Sequence, residues 1–260
     1  MKKGIYILPS LLTCANMSCG YLSILSSIDG DFAKAAWFLA LAVAFDMTDG
    51  KVARLTKTTS EFGVQLDSLS DLISFGLSPS VMMYQLVLSS MEKVGMAIAI
   101  LFVLCSALRL AKFNVRAQDG VVHNSFMGLP TPASAGLLLS FVLSYELFAD
   151  HGQSLSFKTI PILMKNMPIF FKTMPVVMVI LSLLMVSNIP YYSFKKMNLS
   201  KPKTFRLLVL VVLLLFLMIT FPQNIIFVLF SLYVFSGLIG IGIKYYSARK
   251  KKNIGAGNGN

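Results

Sequence analysis

Charge is what this sequence has least of. Only 13% of its 260 residues are charged, against 56% hydrophobic, and eleven of them are acidic. A chain so poor in charge, with mean hydropathy +0.74, does not read as a soluble or disordered protein. Cysteine is scarce as well. Cys14, Cys19 and Cys105 fall inside apolar runs, without metal-ligand spacing, which argues against a disulfide framework or a thiolate metal site. The two histidines, His123 and His151, lack a Cys, His or carboxylate partner at zinc or triad spacing, so they read as surface residues. The single tryptophan, Trp37, suits an interfacial anchor. No internal repeat, linker or shift of composition marks a second soluble domain.

What is present is a recurrence of apolar runs of membrane length. They predict an all-α, polytopic membrane helical bundle of about eight spans, at 5–28, 32–50, 69–90, 94–113, 133–149, 174–189, 205–221 and 225–245. With both termini on the cytoplasmic side, eighteen of the 23 lysines and arginines fall on that side. Only Lys34, Lys93, Lys158, Lys165 and Lys172 fall outside. The net charge of +12 is then an expression of topology and of attraction to anionic membrane lipids, not of nucleic-acid binding. The basic run before the end reads as a solvated anchor, and residues 247–260 as a disordered tail. MKK before an apolar run imitates a secretory leader. No cleavage site follows it, however, and Thr13, Asn16, Gly20, Ser23 and Ser27 form a small, polar stripe suited to a packed helix.

Against this background one stretch stands apart. Asp46 to Asp71, DMTDGKVARLTKTTSEFGVQLDSLSD, holds five of the eleven acids between two apolar spans. Asp46 and Asp49 are spaced i, i+3, and Asp67 and Asp71 i, i+4, so on helices each pair shares a face. Gly50, Thr56, Thr58, Thr59, Ser60 and Gly63 predict a break between two helices whose ends aim four carboxylates at one point. An acid costs about 2.5–3.5 kcal/mol at the bilayer centre, less near an interface, so such a cluster calls for neutralisation. Divalent cations with oxygen ligands, Mg2+ or Mn2+, are the plainest remedy, and paired ions can clamp a pyrophosphate.

The fixed positions Asp46, Asp49, Gly50, Ala53, Arg54, Gly63, Asp67 and Asp71 match the signature of the CDP-alcohol phosphotransferases, which the chain resembles. The resemblance implies two divalent cations, Mg2+ or Mn2+, held by Asp46, Asp49, Asp67 and Asp71, with Asp71 as general base. It also implies contacts of Gly50, Arg54 and Ser60 with a CDP-linked lipid, closely approached by the small Ala53 and Gly63. Asn16 on the first span is a further candidate for the nucleotide side, and helix packing alone explains it equally well. A homodimer is implied by the same resemblance.

Three more segments carry polar groups. Arg109, Lys112 and Arg116 lie on one helix face at the end of the fourth span, with Asn114 between them in sequence. Snorkelling anchors and an anion pocket both fit that pattern. FMGLPTPASAG, with Thr131 and Ser134, opens the fifth span, and LMVSNIPYYSFK closes the sixth. The topology puts all three beside the acidic stretch, which favours one site over scattered anchors. These segments are similar to those of one branch of the family, the phosphatidylserine synthases of bacterial and archaeal type. That likeness implies CDP-diacylglycerol and L-serine as substrates, and phosphatidylserine and CMP as products. Arg109, Lys112, Asn114, Arg116, Thr131 and Ser134 are then the candidates for holding the acceptor. The expected division is a catalytic membrane domain over 1–195, two added helices over 196–246 and the tail, in the cytoplasmic membrane with the site facing the cytoplasm. Two alternatives stand beside it: a sister transferase acting on glycerol 3-phosphate or inositol phosphate, and a cation or proton transporter. The gathering of the acids at one end of the spans opposes the transporter.

Overall fold

A computed structural model of the chain describes residues 7–56, 60–118, 126–150, 168–187, 189–191, 227 and 230–234. The expected seventh span lies outside the described residues, and the eighth is represented by Phe227 and residues 230–234, which are helical. Among the described residues the chain is helical, apart from one antiparallel pairing of two residues with two. Helices spanning Leu8–Ile28 and Leu88–Arg116 are long and apolar enough to cross a membrane. Their outward side chains, such as Leu11, Leu104 and Leu108, are exposed apolar surface. These features accord with a helical membrane protein.

Helix α1 (Ile7–Ile28) turns through Asp29–Asp31 into α2 (Phe32–Thr56). Gly30 takes φ +81 at the turn, and Asp31 accepts the Lys34 amide at 3.0 Å to cap α2. So short a connection forces the two helices to lie antiparallel and packed along their length. Thr13 and Asp49, at similar distances from the turn along the chain, therefore come level.

The expected break in the acidic stretch is shorter than its glycines suggest. Helix α2 runs past the predicted span to Thr56, and α3 (Glu61–Asp71) starts ahead of the predicted third span. Gly50 and Gly63 are both helical. The start is set by Ser60, whose Oγ accepts the Gly63 amide at 3.0 Å as an N-cap.

Helix α3 passes through a π-helical turn, Leu72–Leu77, into α4 (Ser78–Leu86). Pro79 explains the widening: it lacks an N–H, and its ring would collide with the carbonyl four residues earlier, inside that turn. The Ser78 amide reaches back to the Ile73 carbonyl instead. The backbone is thus loosened in the residues before the proline, just beyond the acidic stretch.

The widened segment rides on the polar stripe of α1. Ser70 donates to the Thr13 carbonyl (3.0 Å), Ser74 to the Asn16 carbonyl (3.0 Å) and Ser78 to Ser23 Oγ (2.7 Å). Both sides of this seam ascend together, so α1 and α3–α4 run parallel. Interhelical bonds of this kind contribute about 0.6 kcal/mol each within a membrane. Gly20 makes the approach possible, since a Cβ there would stand 2.7 Å from the Ser74 Cα.

A 3-10 turn, Leu88–Met91, leads into α5 (Glu92–Gln118), which packs back along α4 with Ser80 donating to the Ala99 carbonyl at 2.8 Å. The reversal brings Arg109 level with Asp71. Strand β1 (Phe126–Met127) precedes α6 (Thr131–Asp150). After α7 (Pro168–Val186), strand β2 (Pro190–Tyr191) pairs with β1, Phe126 opposite Tyr191. Gly128, at φ +84, leaves no room for a Cβ beside the Met185 carbonyl. Its amide bonds the Ile189 carbonyl (2.8 Å), and the Leu129 amide bonds that of Leu184 (3.0 Å). The start of α6 is thereby fastened to the end of α7. The core between the helices is filled by Leu39, Phe75, Met82, Phe102, Leu138 and Met178.

Candidate active site

The antiparallel α1–α2 hairpin and the parallel α1–α3 seam bring both acid pairs to one end of the bundle. Asp46, Asp49 and Asp67 each offer a carboxylate oxygen within 4.8 Å of the others. Asp71, 9% exposed, faces Asp46 within hydrogen-bonding reach and has Arg109 as its nearby positive charge. Its Oδ1 is buried without a protein partner. Each pair shares a face because α2 is helical through residues 46–49 and α3 through 67–71.

The donor set fits a divalent cation. Hard ions such as Mg2+ bind carboxylate oxygens at about 2.1 Å, so three oxygens gathered this closely come within one ion's reach after small side-chain rotations. An orphaned carboxylate oxygen in a buried, acid-rich site is the accompanying sign, since such a group is costly to leave unpaired.

The residues assigned to the CDP-lipid surround this cluster unevenly. Gly50 opens onto free space, with no atom within 4 Å of a Cβ built there. Ala53 and Gly63 are half-buried and Arg54 is exposed at the end of α2, leaving its guanidinium accessible. Ser60 is engaged in capping α3. Asn16 is fully buried, and both polar atoms of its side chain lack a protein partner. A buried amide without partners is unusual enough to indicate a group supplied from outside the protein.

On the other flank, Arg109 Nη1 donates to Thr131 Oγ1 at 2.8 Å while its Nε is buried without a partner. Thr131 and Ser134 are both fully buried. Ser134 donates to the Thr131 carbonyl (2.8 Å) and contacts the Met185 sulfur (3.3 Å). Lys112 donates to the Val186 carbonyl at 3.3 Å, placing a cation at the C-terminus of α7, where the helix dipole favours one. Asn114 donates to Ser68 Oγ at 2.9 Å and so braces α5 against α3, between Asp67 and Asp71 in sequence. Arg116 is half-buried at the end of α5. The structure thus unites Arg109, Thr131 and Asp71, and gives Lys112 and Asn114 partners within the protein.

Two residues of this region escape sequence reasoning. Thr13 donates to Asp49 Oδ2 at 2.9 Å, whereas its place in a packing stripe signals nothing of the kind. Tyr233, on the C-terminal helical segment, lies near Arg109. That segment docks on α6, with the Phe230 ring against Gly136 and Val234 in the core.

A hydrophobic helical bundle brings the four carboxylates and the open Gly50 of the sequence signature to one end, with the half-buried Arg109 beside them and the signature's Arg54 exposed nearby. The family model of the CDP-alcohol phosphatidyltransferases matches residues 6–164, and the chain belongs to that family. Its members are generally dependent on divalent metal. A CDP-diacylglycerol–serine O-phosphatidyltransferase of Helicobacter pylori is 34% identical over 238 residues, covering 90% of this chain and 91% of its own length. One of Bacillus subtilis is 32% identical over 189 residues, 73% of this chain and 92% of the relative. An archaetidylserine synthase of Methanothermobacter thermautotrophicus is 44% identical over 139 residues, 53% of this chain and 58% of the relative.

Proposed function

We propose that this enzyme transfers the phosphatidyl group of CDP-diacylglycerol to L-serine, giving phosphatidylserine and CMP. The observation that carries the reading is the buried, unpartnered Oδ1 of Asp71, set between the carboxylate cluster and Arg109. The serine specificity is further supported by the Helicobacter pylori and Bacillus subtilis relatives, which align over 90% and 73% of this chain.

In this reading Asp46, Asp49, Asp67 and Asp71 hold two divalent cations, Mg2+ or Mn2+. When bound, such ions neutralise the pyrophosphate of the donor and stabilise the charge that develops on its oxygens. Gly50 lets the donor approach the backbone, Arg54 offers its phosphates a bidentate fork, and Ala53 and Gly63 keep the approach clear. Ser60 holds the start of α3 beside them. The paired donor and acceptor of the Asn16 amide suit the cytosine or ribose side of the nucleotide.

Arg109 receives the serine carboxylate, held in place by Thr131. Lys112, Asn114, Arg116 and Ser134 shape and charge the same end. Asp71 takes the proton from the serine hydroxyl, whose oxygen forms a bond to the lipid-bearing phosphorus. The bond from that phosphorus to the oxygen of the cytidine phosphate breaks, and CMP departs with the electron pair. The diacyl chains remain in the membrane throughout, which accounts for a polar site at one end of apolar helices.

The reading extends to the architecture: eight spans in the family's bundle, with the catalytic part over 1–195, two further helices over 196–246, and a tail. The protein works as a homodimer in the cytoplasmic membrane, with site and termini on the cytoplasmic side. The charge asymmetry supports that orientation.

The test is CMP release by purified protein in detergent, with CDP-diacylglycerol and either serine, glycerol 3-phosphate or inositol phosphate, in Mg2+, Mn2+ or EDTA. Metal-dependent release with serine alone is expected. Release with another of these acceptors, and none with serine, would overturn the acceptor and leave the family chemistry standing.

A further inference from the structure

Thr13 occupies an unusual position in the bundle. It lies in α1, outside the acidic stretch, and is 5% exposed. Its hydroxyl has two acceptors in range, the Pro9 carbonyl at 3.0 Å and Asp49 Oδ2 at 2.9 Å. The hydroxyl carries one proton, and the carboxylate is the stronger acceptor, because bonds to an ionised oxygen are about twice as strong as neutral ones. The Pro9 carbonyl already serves the backbone ladder of α1. The proton is therefore committed to Asp49.

The backbone of the same residue reaches the other acid pair. Its carbonyl accepts the Ser70 hydroxyl at 3.0 Å, one residue before Asp71. Thr13 is thus bonded at once to α2, through Asp49, and to α3, beside Asp71. Asp49 itself is 4% exposed, so water has little part in holding its carboxylate. The bond from Thr13 therefore restrains Oδ2, and with it the direction in which the Asp49 carboxylate points.

We infer that Thr13 is a positioning residue for the acidic centre: its hydroxyl orients Asp49 toward Asp46 and Asp67, and so sets the affinity of the site for a divalent cation. It touches neither substrate nor cation. The inference rests on the metal-binding role proposed for the cluster, and extends it to a helix that carries none of the acids. Ligands held by a partner in this way lose about 10- to 100-fold in metal affinity when the partner is removed.

The experiment is Mn2+ binding by the purified full chain in detergent, followed by electron paramagnetic resonance of the free ion, without substrate. Thr13→Val keeps the shape and deletes the donor. It is expected to weaken Mn2+ binding about tenfold or more, and Thr13→Ser to restore it. Ser78→Ala removes another buried bond between α1 and α4, away from the acids, and is expected to leave Mn2+ affinity unchanged. Were Thr13→Val insoluble, the comparison of Thr13→Ser with Thr13→Ala would serve, with loss only in the latter. Wild-type affinity in the hydroxyl-free variant overturns the inference, and so does an equal loss in Ser78→Ala, which would mark the effect as general packing. A wild-type chain that binds no Mn2+ overturns the metal reading together with it.

Discussion

The Arg109 guanidinium and the Thr131 hydroxyl, 22 positions apart on α5 and α6, meet at 2.8 Å beside the buried Asp71. The bond fixes one edge of the guanidinium and leaves Nε, sealed from solvent, without a protein partner. A carboxylate of the acceptor would complete it. Removing a hydrogen bond to a charged group costs about 1.5–3 kcal/mol, so Thr131→Val should raise the KM for serine by about tenfold or more. The KM for CDP-diacylglycerol should change little. Arg109→Lys should be worse, because an ammonium lacks the planar fork. Steady-state kinetics in both substrates decide this, and a selective effect on the CDP-lipid would reassign the pair.

Asp71→Asn preserves the size of the side chain but cannot accept the serine proton. A fall in kcat of about 10^2- to 10^4-fold is expected, with CDP-diacylglycerol still bound. Substrate binding in the absence of turnover, measured alongside CMP release, separates the two functions. A variant that keeps kcat within tenfold of wild type would remove Asp71 from the base role.

The carboxylate cluster makes a prediction of opposite signs with and without metal. Asp46, Asp49 and Asp67 repel one another when no cation is bound, so Asp67→Asn should unfold at a higher temperature than wild type in EDTA. Adding Mg2+ or Mn2+ should raise the midpoint of the wild type, since a ligand bound only by the folded state stabilises it. Asp67→Asn should respond weakly. Thermal unfolding in detergent, with and without chelator, checks both signs; parallel responses in the two proteins would dismiss Asp67 as a ligand.

Asn114 offers a test of brace against binding residue. Its amide donates to Ser68 Oγ at 2.9 Å. If the bond mainly secures α3, Asn114→Ala and Ser68→Ala should each cost about 1 kcal/mol of stability, and the double variant should cost little more than either. The KM for serine should then follow the same pattern. Additive losses, or a serine effect of Asn114→Ala that Ser68→Ala lacks, would show a direct contact with the acceptor.

Much of the centre was legible in the chain because its spacing is local. Asp46 with Asp49, and Asp67 with Asp71, are neighbours on any helix that contains them. Their isolation in apolar sequence marked them before any tertiary contact was considered. The π turn over Leu72–Leu77, just beyond the acidic stretch, has an equally local cause, the collision of the Pro79 ring with the carbonyl four residues back. The extent of α2 and α3 was not legible: Gly50 and Gly63 suggest a long break, whereas the cap at Ser60 and the packing on α1 carry both helices into the stretch.

By itself, then, the sequence determined the helical membrane class of the chain and the pairing of the four carboxylates, through composition and periodicity within a few turns, while the segments that accompany them stood out by their resemblance to a family. Tertiary structure alone decided which polar side chains, far apart in the chain, hold one another. Thr13 reaches Asp49, Arg109 reaches Thr131 and Asn114 reaches Ser68 across 36, 22 and 46 positions. Nothing in local spacing encodes such pairs, because they depend on where each turn reverses a helix and on how closely glycine and serine allow helices to approach. The two turns, at Asp29–Asp31 and Leu88–Met91, bring Asp49 level with Thr13 and Arg109 level with Asp71.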